Sequence, residues 1–243
     1  MLVADLSNLT AALFDLDGVL TPTAAVHQDA WRELFSAEFE RRGVAPYLPE
    51  DYFTYLDGRK RYDGVAAILH SRGIVLSFGD PSDGPTAETV CGLGNKKNAV
   101  FAAILKRDGV APYPGSLAFL QALDAAGVAK AVVSSSKNAR PVLEAAGLLE
   151  RFPVIVDGAV AEAEGIPGKP APDMYLRAAE ALGRVPAECM VIEDAISGVA
   201  SGAAGHVGGV IGVDRGVGRD ELFKAGATQV VDDLGELVDQ IRA

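Results

Sequence analysis

Short apolar runs alternating with longer stretches of helical periodicity constrain this chain more than any other feature. The runs are AALF at 11–14, VAKAVV at 128–133, PVIV at 153–156 and MVI at 190–192, with further β-rich stretches at 207–213 and 228–232. Between them, SLAFLQALDAA (116–126) repeats its apolar residues at helical spacing and stops at Gly127. ARPVLEAAG follows a Ser-rich turn, and PDMYLRAAEAL (172–182) stops at Gly183. Runs this short and this apolar suit strands buried on both faces, and parallel strands need a helix-length crossover between them. The pattern predicts an α/β protein, a Rossmann-like parallel sheet with helices on both faces.

Residues 22–107 break the rhythm. HQDAWRELFSAEFERRG, RYDGVAAILHSRG and AVFAAILKRDG have the spacing of amphipathic helices, with no strong strand among them. A helical domain (22–107) inserted into an α/β core built from 1–21 and 108–243 accounts for this. SFGDPSDGPTAE (77–88) is turn-rich and reads as a mobile surface loop.

The chain carries 22 Lys+Arg against 33 Asp+Glu, a net charge of −11, which argues against a general nucleic-acid or anionic-membrane surface. Cys91 and Cys189 are isolated and read as buried thiols in a reducing cytosol. MLVADLSNLTAALFDLDG has no basic n-region, and no run approaches the roughly 20 apolar residues of a membrane span. A cytoplasmic protein, with no nucleic-acid or membrane partner, is the expectation.

The polar residues have an informative position. The first strand runs into Asp15 and Asp17, the second into Ser134, Ser135, Ser136, Lys137 and Asn138, and MVI into Glu193 and Asp194. Ligands of an open parallel sheet bind beyond the carboxyl ends of its strands, so these segments converge on one edge. In an extended segment residues i and i+2 face the same way, which puts Asp15 and Asp17 toward one gap. Carboxylates crowded there repel, and a hard divalent cation with oxygen ligands, Mg²⁺, relieves them. Lys169 adds an ammonium and Ser134 a hydroxyl. Such a set clamps a transferring phosphoryl group, with Asp15 as nucleophile and Asp17 moving the proton.

DLDGV (15–19), the serine-ended strand at 132–134, the Lys169-Pro170 loop and Glu193-Asp194 resemble, in order and spacing, the four motifs of the haloacid dehalogenase superfamily. The resemblance covers essentially the whole chain and implies that the helical insertion is a cap domain. It implies Asp15 as nucleophile, Asp17 as general acid/base, and Ser134 and Lys169 as phosphoryl ligands. Mg²⁺ would be held by Asp15, the backbone carbonyl of Asp17, and Glu193 with Asp194.

Within that superfamily the chain is similar to the β-phosphoglucomutase-like subfamily. VVSSSKN (132–138) and GKPAPDMYL (168–176) match its second and third motifs, and His27 and Trp31 fall where it carries a hinge histidine and a tryptophan. DGRKRYDGV (57–65) resembles its cap substrate loop through Gly58 and Arg61, and NKKN (95–98) a further basic cap element. The similarity implies a small-molecule sugar phosphate as substrate and interconversion of β-glucose 1-phosphate and glucose 6-phosphate through the 1,6-bisphosphate. Arg61, Ser136, Lys137 and Asn138 would grip the second phosphate, and His27 would restrain Asp17. The protein is expected to act as a monomer. Thr21-Pro22-Thr23 departs from an acidic residue common at that place, and Arg59-Lys60 make the cap loop more basic.

A phosphatase acting on a small sugar or polyol phosphate shares every core residue and remains the alternative. A receiver domain would be about half this length and lack the helical insertion; an inactive scaffold would be expected to lose Asp15 or Asp17. Lys169 in GIPGKP lacks the spacing of a P-loop, and GLGNKK (92–97) is no dinucleotide fingerprint.

Overall fold

The structure, a computed structural model, describes residues 10–241. The N-terminal nine residues, on which part of the signal-peptide reading rests, lie outside the described residues. Contacts divide the chain into two compact units, Met1–Pro22 with Val110–Ala243, and Thr23–Gly109.

The first unit is built on one sheet: β1 (Ala11–Phe14), β2 (Ala129–Val133), β3 (Val154–Val156), β4 (Cys189–Glu193), β5 (Gly209–Val213) and β6 (Gln229–Val231). Every pairing is parallel and the order is β3-β2-β1-β4-β5-β6. The chain steps outward from β1 to β3, then returns to the other side of β1 and steps outward to β6. Strand order therefore reverses at β1, the place where an open α/β sheet leaves a crevice. Phe14 lies level with Val132 on one side and Ile192 on the other, so β1, β2 and β4 end side by side.

The helical unit holds α1 (Thr23–Arg42), α2 (Arg61–Ser71) and α3 (Val90–Asp108). Trp31, Phe35 and Phe39 recur every fourth residue on one face of α1. Trp31 stacks on Phe35 at 5.6 Å, and Phe35 meets Phe39 at 5.3 Å. Val65, Ile68, Leu69, Val90 and Leu93 close the core against them. The third helix begins nine residues before the periodicity of AVFAAIL suggests. Thr89 caps it, its hydroxyl accepting the Gly92 N–H at 2.9 Å. Gly92 and Gly94 lower helical propensity there, yet a Cβ on Gly92 would sit 2.3 Å from the Ala87 carbonyl and one on Gly94 2.8 Å from the Tyr62 ring. Close packing outweighs propensity. The helical turns of Pro49–Asp51 and Tyr52–Leu56 also lack a readable repeat; Asp51 holds the first by accepting the Leu48 N–H. The 77–88 loop is exposed, with its turn closed by Asp80 and Asp83.

The sheet is covered by α4 (Pro114–Ala125), α5 (Ala139–Ala145), α6 (Gly158–Ala163), α7 (Asp173–Ala181), α8 (Ile196–Ala204) and α9 (Arg219–Ala225). Leu13 packs with Met174, Tyr175 and Val199. Its neighbour Phe14 points to the opposite face, meeting Phe119 and Phe152 edge-on at 6.2 and 6.0 Å. Helix α6 is invisible to periodicity because it is short; Asp157 makes it by accepting the Ala159 and Val160 N–H groups.

Candidate active site

The carboxyl ends of β1, β4 and β2 carry Asp15, Glu193 and Ser134, all buried. Asp15 is locked to β4 through its backbone N–H, which donates to the Ile192 carbonyl at 2.9 Å. From the loop before α7, Lys169 reaches beneath both acids. Its ammonium donates to Asp15 Oδ1 at 2.6 Å, Glu193 Oε1 at 2.6 Å and the Val133 carbonyl at 3.0 Å. An ammonium has three N–H groups, so all are used, and the side chain has no exposed surface.

Glu193 is held from four directions. Oε1 accepts from Lys169 and from the Tyr175 hydroxyl at 3.0 Å; Oε2 accepts the N–H groups of Asp194 and Ala195, each at 3.0 Å. Gly198 makes room for it, since a Cβ there would lie 1.7 Å from Oε1. Tyr175 was not foreseen. A tyrosine in PDMYLRAAEAL reads as core, and only packing shows that its hydroxyl ends on a carboxylate while its ring lies 5.1 Å from the Lys169 ammonium.

The charges act on one another strongly. Burial pushes the Asp15 carboxyl well above the ordinary carboxylate range; Lys169 opposes this, and Glu193 and Asp17 add to it. For Lys169, burial works to lower its proton affinity, but Asp15 and Glu193 outweigh it and hold the ammonium well above its usual value. Burial, with Glu193, pushes the Tyr175 phenol well above its ordinary value, so it stays a donor.

Asp15, Glu193 and Asp194 each offer an oxygen, and these atoms lie within 4.8 Å of one another. Three buried carboxyl groups face one ammonium here, and a divalent cation would offset the charge they carry when ionised. Gly18 fits the same picture: with φ at +93°, it brings its backbone so close to Asp194 that a Cβ would sit 1.8 Å from Oδ2. The donors are hard oxygens, which suits a hard cation.

Strand β1 ends at Phe14, and the chain turns at once, with Gly18 N donating to Thr21 O and Thr21 N to Leu16 O. Asp17 lies in this turn, bridged through its backbone to Thr21. It is less buried than Asp15, yet near enough for its charge to raise the Asp15 carboxyl.

Ser134 lies against β3 through its N–H to the Val156 carbonyl, and its hydroxyl accepts the Ser136 N–H at 3.1 Å. The Ser136 hydroxyl in turn accepts the Asn138 N–H at 3.1 Å. Lys137 forms an ion pair with Glu162 on α6. Gly158 closes on this turn, a Cβ there lying 2.6 Å from the Ser135 carbonyl.

The helical unit gathers its own polar cluster. His27 stacks on Phe101 at 4.1 Å, and its Nδ1 meets the ammonium of Lys97. Lys97 is itself buried, over the rings of Trp31 at 4.8 Å and Phe101 at 5.1 Å. NKKN had indicated a basic element without singling out Lys97, because a charged residue on a helix is ordinarily solvated. Arg61 opens α2 and donates to Asn98 Oδ1 at 2.8 Å and Asn95 Oδ1 at 3.3 Å. Gly58 precedes it at φ +66°.

A family model described as haloacid dehalogenase-like hydrolase matches residues 9–206. A Mycobacterium bovis protein named beta-phosphoglucomutase is 48% identical over 242 residues, spanning 95% of this chain and 92% of its own length. Hexitol phosphatase A of Escherichia coli is 31% identical over 192 residues, 79% of this chain and 77% of its own. Among solved structures, a beta-phosphoglucomutase from Clostridium difficile superposes with a TM-score of 0.77 at 27% identity, covering 94% of this chain and 93% of that one.

Proposed function

The chain belongs to the haloacid dehalogenase-like hydrolase family, and from that premise we propose that it is a β-phosphoglucomutase, an intramolecular-type phosphotransferase converting β-glucose 1-phosphate and glucose 6-phosphate through glucose 1,6-bisphosphate. Phosphoryl transfer rests on one observation, the buried ammonium of Lys169 spanning Asp15 and Glu193 beside Asp194. The mutase reading is supported by near-full-length similarity at 48% identity to a protein of that name.

Asp15 Oδ attacks phosphorus of the bisphosphate, forming the acyl-phosphate bond as the P–O bond to the sugar breaks. Asp17 gives its proton to the departing sugar oxygen. Glucose 6-phosphate then leaves, and Asp17 takes a proton from the 6-hydroxyl of an incoming β-glucose 1-phosphate as that oxygen attacks the phosphoaspartate, restoring Asp15 and the bisphosphate. Lys169 offsets charge on the nucleophile, and the Ser134 hydroxyl supplies a donor at the end of β2. Asp15, the Asp17 carbonyl, Glu193 and Asp194 would hold Mg²⁺, which supplies positive charge to the phosphoryl oxygens. Through its four hydrogen bonds Glu193 also orients Lys169 and the Asp194 backbone.

The Thr23–Gly109 unit serves as the cap in this reading. Arg61, fixed by Asn95 and Asn98, is assigned with Ser136, Lys137 and Asn138 to the second phosphate; Gly58 and Trp31 are assigned to sugar binding. His27 is the residue assigned in this reading to restraining Asp17. No helix among the described residues is long and apolar enough to cross a membrane; a monomer acting in the cytoplasm is the form proposed.

The test is incubation with Mg²⁺, β-glucose 1-phosphate and a trace of glucose 1,6-bisphosphate. Glucose 6-phosphate without inorganic phosphate supports the mutase. Stoichiometric phosphate release would sink it in favour of the phosphatase reading, which the 31% identity to a hexitol phosphatase also suits. Asp15→Asn should abolish either activity, since an amide does not attack phosphorus.

A further inference from the structure

Arg215, in the loop after β5, enters neither the motifs nor the mechanism, yet it reaches the turn that follows β1. Its Nε donates to the Gly18 carbonyl at 2.8 Å and Nη1 to the Asp232 carbonyl at 3.0 Å. The guanidinium lies 4.0 Å over the ring of Tyr113. The third nitrogen, Nη2, is buried without a hydrogen-bond partner among the described residues. Packing on Tyr113 alone would be served as well by methionine, which leaves no buried donor unsatisfied. The loop that presents Arg215 is itself rigid, with Asp214 Oδ1 accepting the Gly216 and Gly218 N–H groups at 2.9 and 3.0 Å.

Glycine at 18 is required by the closeness of Asp194, and glycine is the residue with the most backbone freedom to lose. The molecule restrains this segment at three successive carbonyls. Ser116 Oγ donates to Val19 O at 2.6 Å, Tyr113 N to Leu20 O at 3.0 Å, and Arg215 to Gly18 O. Only the grip on Gly18 comes from a charged side chain, and it falls on the residue that joins the Asp17 carbonyl to the face against Asp194.

We propose that Arg215 is a positioning residue for the cation site, holding the Asp17–Gly18 turn in register with Asp194. This rests on the metal-dependent reading of the site. Residues that orient a first ligand shell typically carry about 10–100-fold in metal affinity.

The test is direct titration with Mn²⁺, followed by the electron paramagnetic resonance of the free ion, on wild type and on Arg215→Met, Arg215→Lys and Ser116→Ala. Arg215→Met should raise the dissociation constant by about tenfold or more. Arg215→Lys, with one ammonium in place of the fork, should fall between it and wild type. Ser116→Ala should bind as wild type does. Mn²⁺ binding by Arg215→Met at wild-type affinity overturns the proposal, as does an equal loss in Ser116→Ala. If Arg215→Met does not fold, wild-type affinity in Arg215→Lys overturns it instead. Wild type that takes up no Mn²⁺ overturns the metal reading itself, a different failure from unchanged affinity in the variants.

Discussion

A lysine without exposed surface must be answered by nearby charge, and Lys169 is answered twice, by Asp15 and Glu193. Removing one partner of such a group leaves the others buried and uncompensated. Lys169→Met should therefore reduce turnover by at least about 100-fold, and in the absence of divalent cation it should lower the unfolding midpoint, readable by calorimetry. Gly18→Ala has a different cause. A Cβ at φ +93°, 1.8 Å from Asp194 Oδ2, forces either the turn or the carboxylate to move. Alanine in that conformation costs about 1–2 kcal/mol, and the displaced carboxylate should weaken cation binding; a variant with wild-type Mn²⁺ affinity would contradict this account. At this scale the chain was legible where chemistry is loud. Asp15, Ser134, Glu193 and Asp194 are conspicuous at strand ends and Lys169 in its Gly-Lys-Pro loop, whereas Tyr175 and Arg215 look like ordinary core and surface residues until their hydrogen bonds are seen.

Helix α1 shows what an element contributes. Its aromatic row of Trp31, Phe35 and Phe39 joins the helical unit's core. Phe35 is fully buried between its two neighbours, so Phe35→Ala should cost about 3–5 kcal/mol in chemical denaturation. Thr89→Ala removes the cap of α3 and should cost about 1 kcal/mol, with circular dichroism reporting the lost helix. The long helices were legible because amphipathic periodicity accumulates over several turns. The start of α3 and the whole of α6 were not: each depends on a single capping side chain, Thr89 or Asp157. A cap is one hydrogen bond whose partner cannot be known before the chain is folded.

At the scale of the molecule, the sheet order places β1 between β2 and β4, so three acids and one lysine from distant parts of the chain share one edge. Concentrated like charge has a thermodynamic consequence. A cation that binds the folded but not the unfolded chain stabilises it by mass action, about 2.7 kcal/mol at 100 times its dissociation constant. Mg²⁺ should thus raise the unfolding midpoint, EDTA should reverse the rise, and the double variant Asp15→Asn, Asp194→Asn should lose the response. A Mg²⁺ effect of equal size in that double variant would place the cation elsewhere. By itself the sequence determined the alternation of strand and helix, the existence of a helical segment inside it, and which residue types stand at the strand ends. Those are local properties, set by periodicity and by the short reach of the backbone. Tertiary structure alone decided that Lys169 divides its ammonium between Asp15 and Glu193, that Tyr175 and two backbone N–H groups occupy Glu193, and that Arg215 grips the turn after β1. Each of those contacts joins residues brought together only by the parallel crossovers, and no spacing along the chain encodes the distance between them.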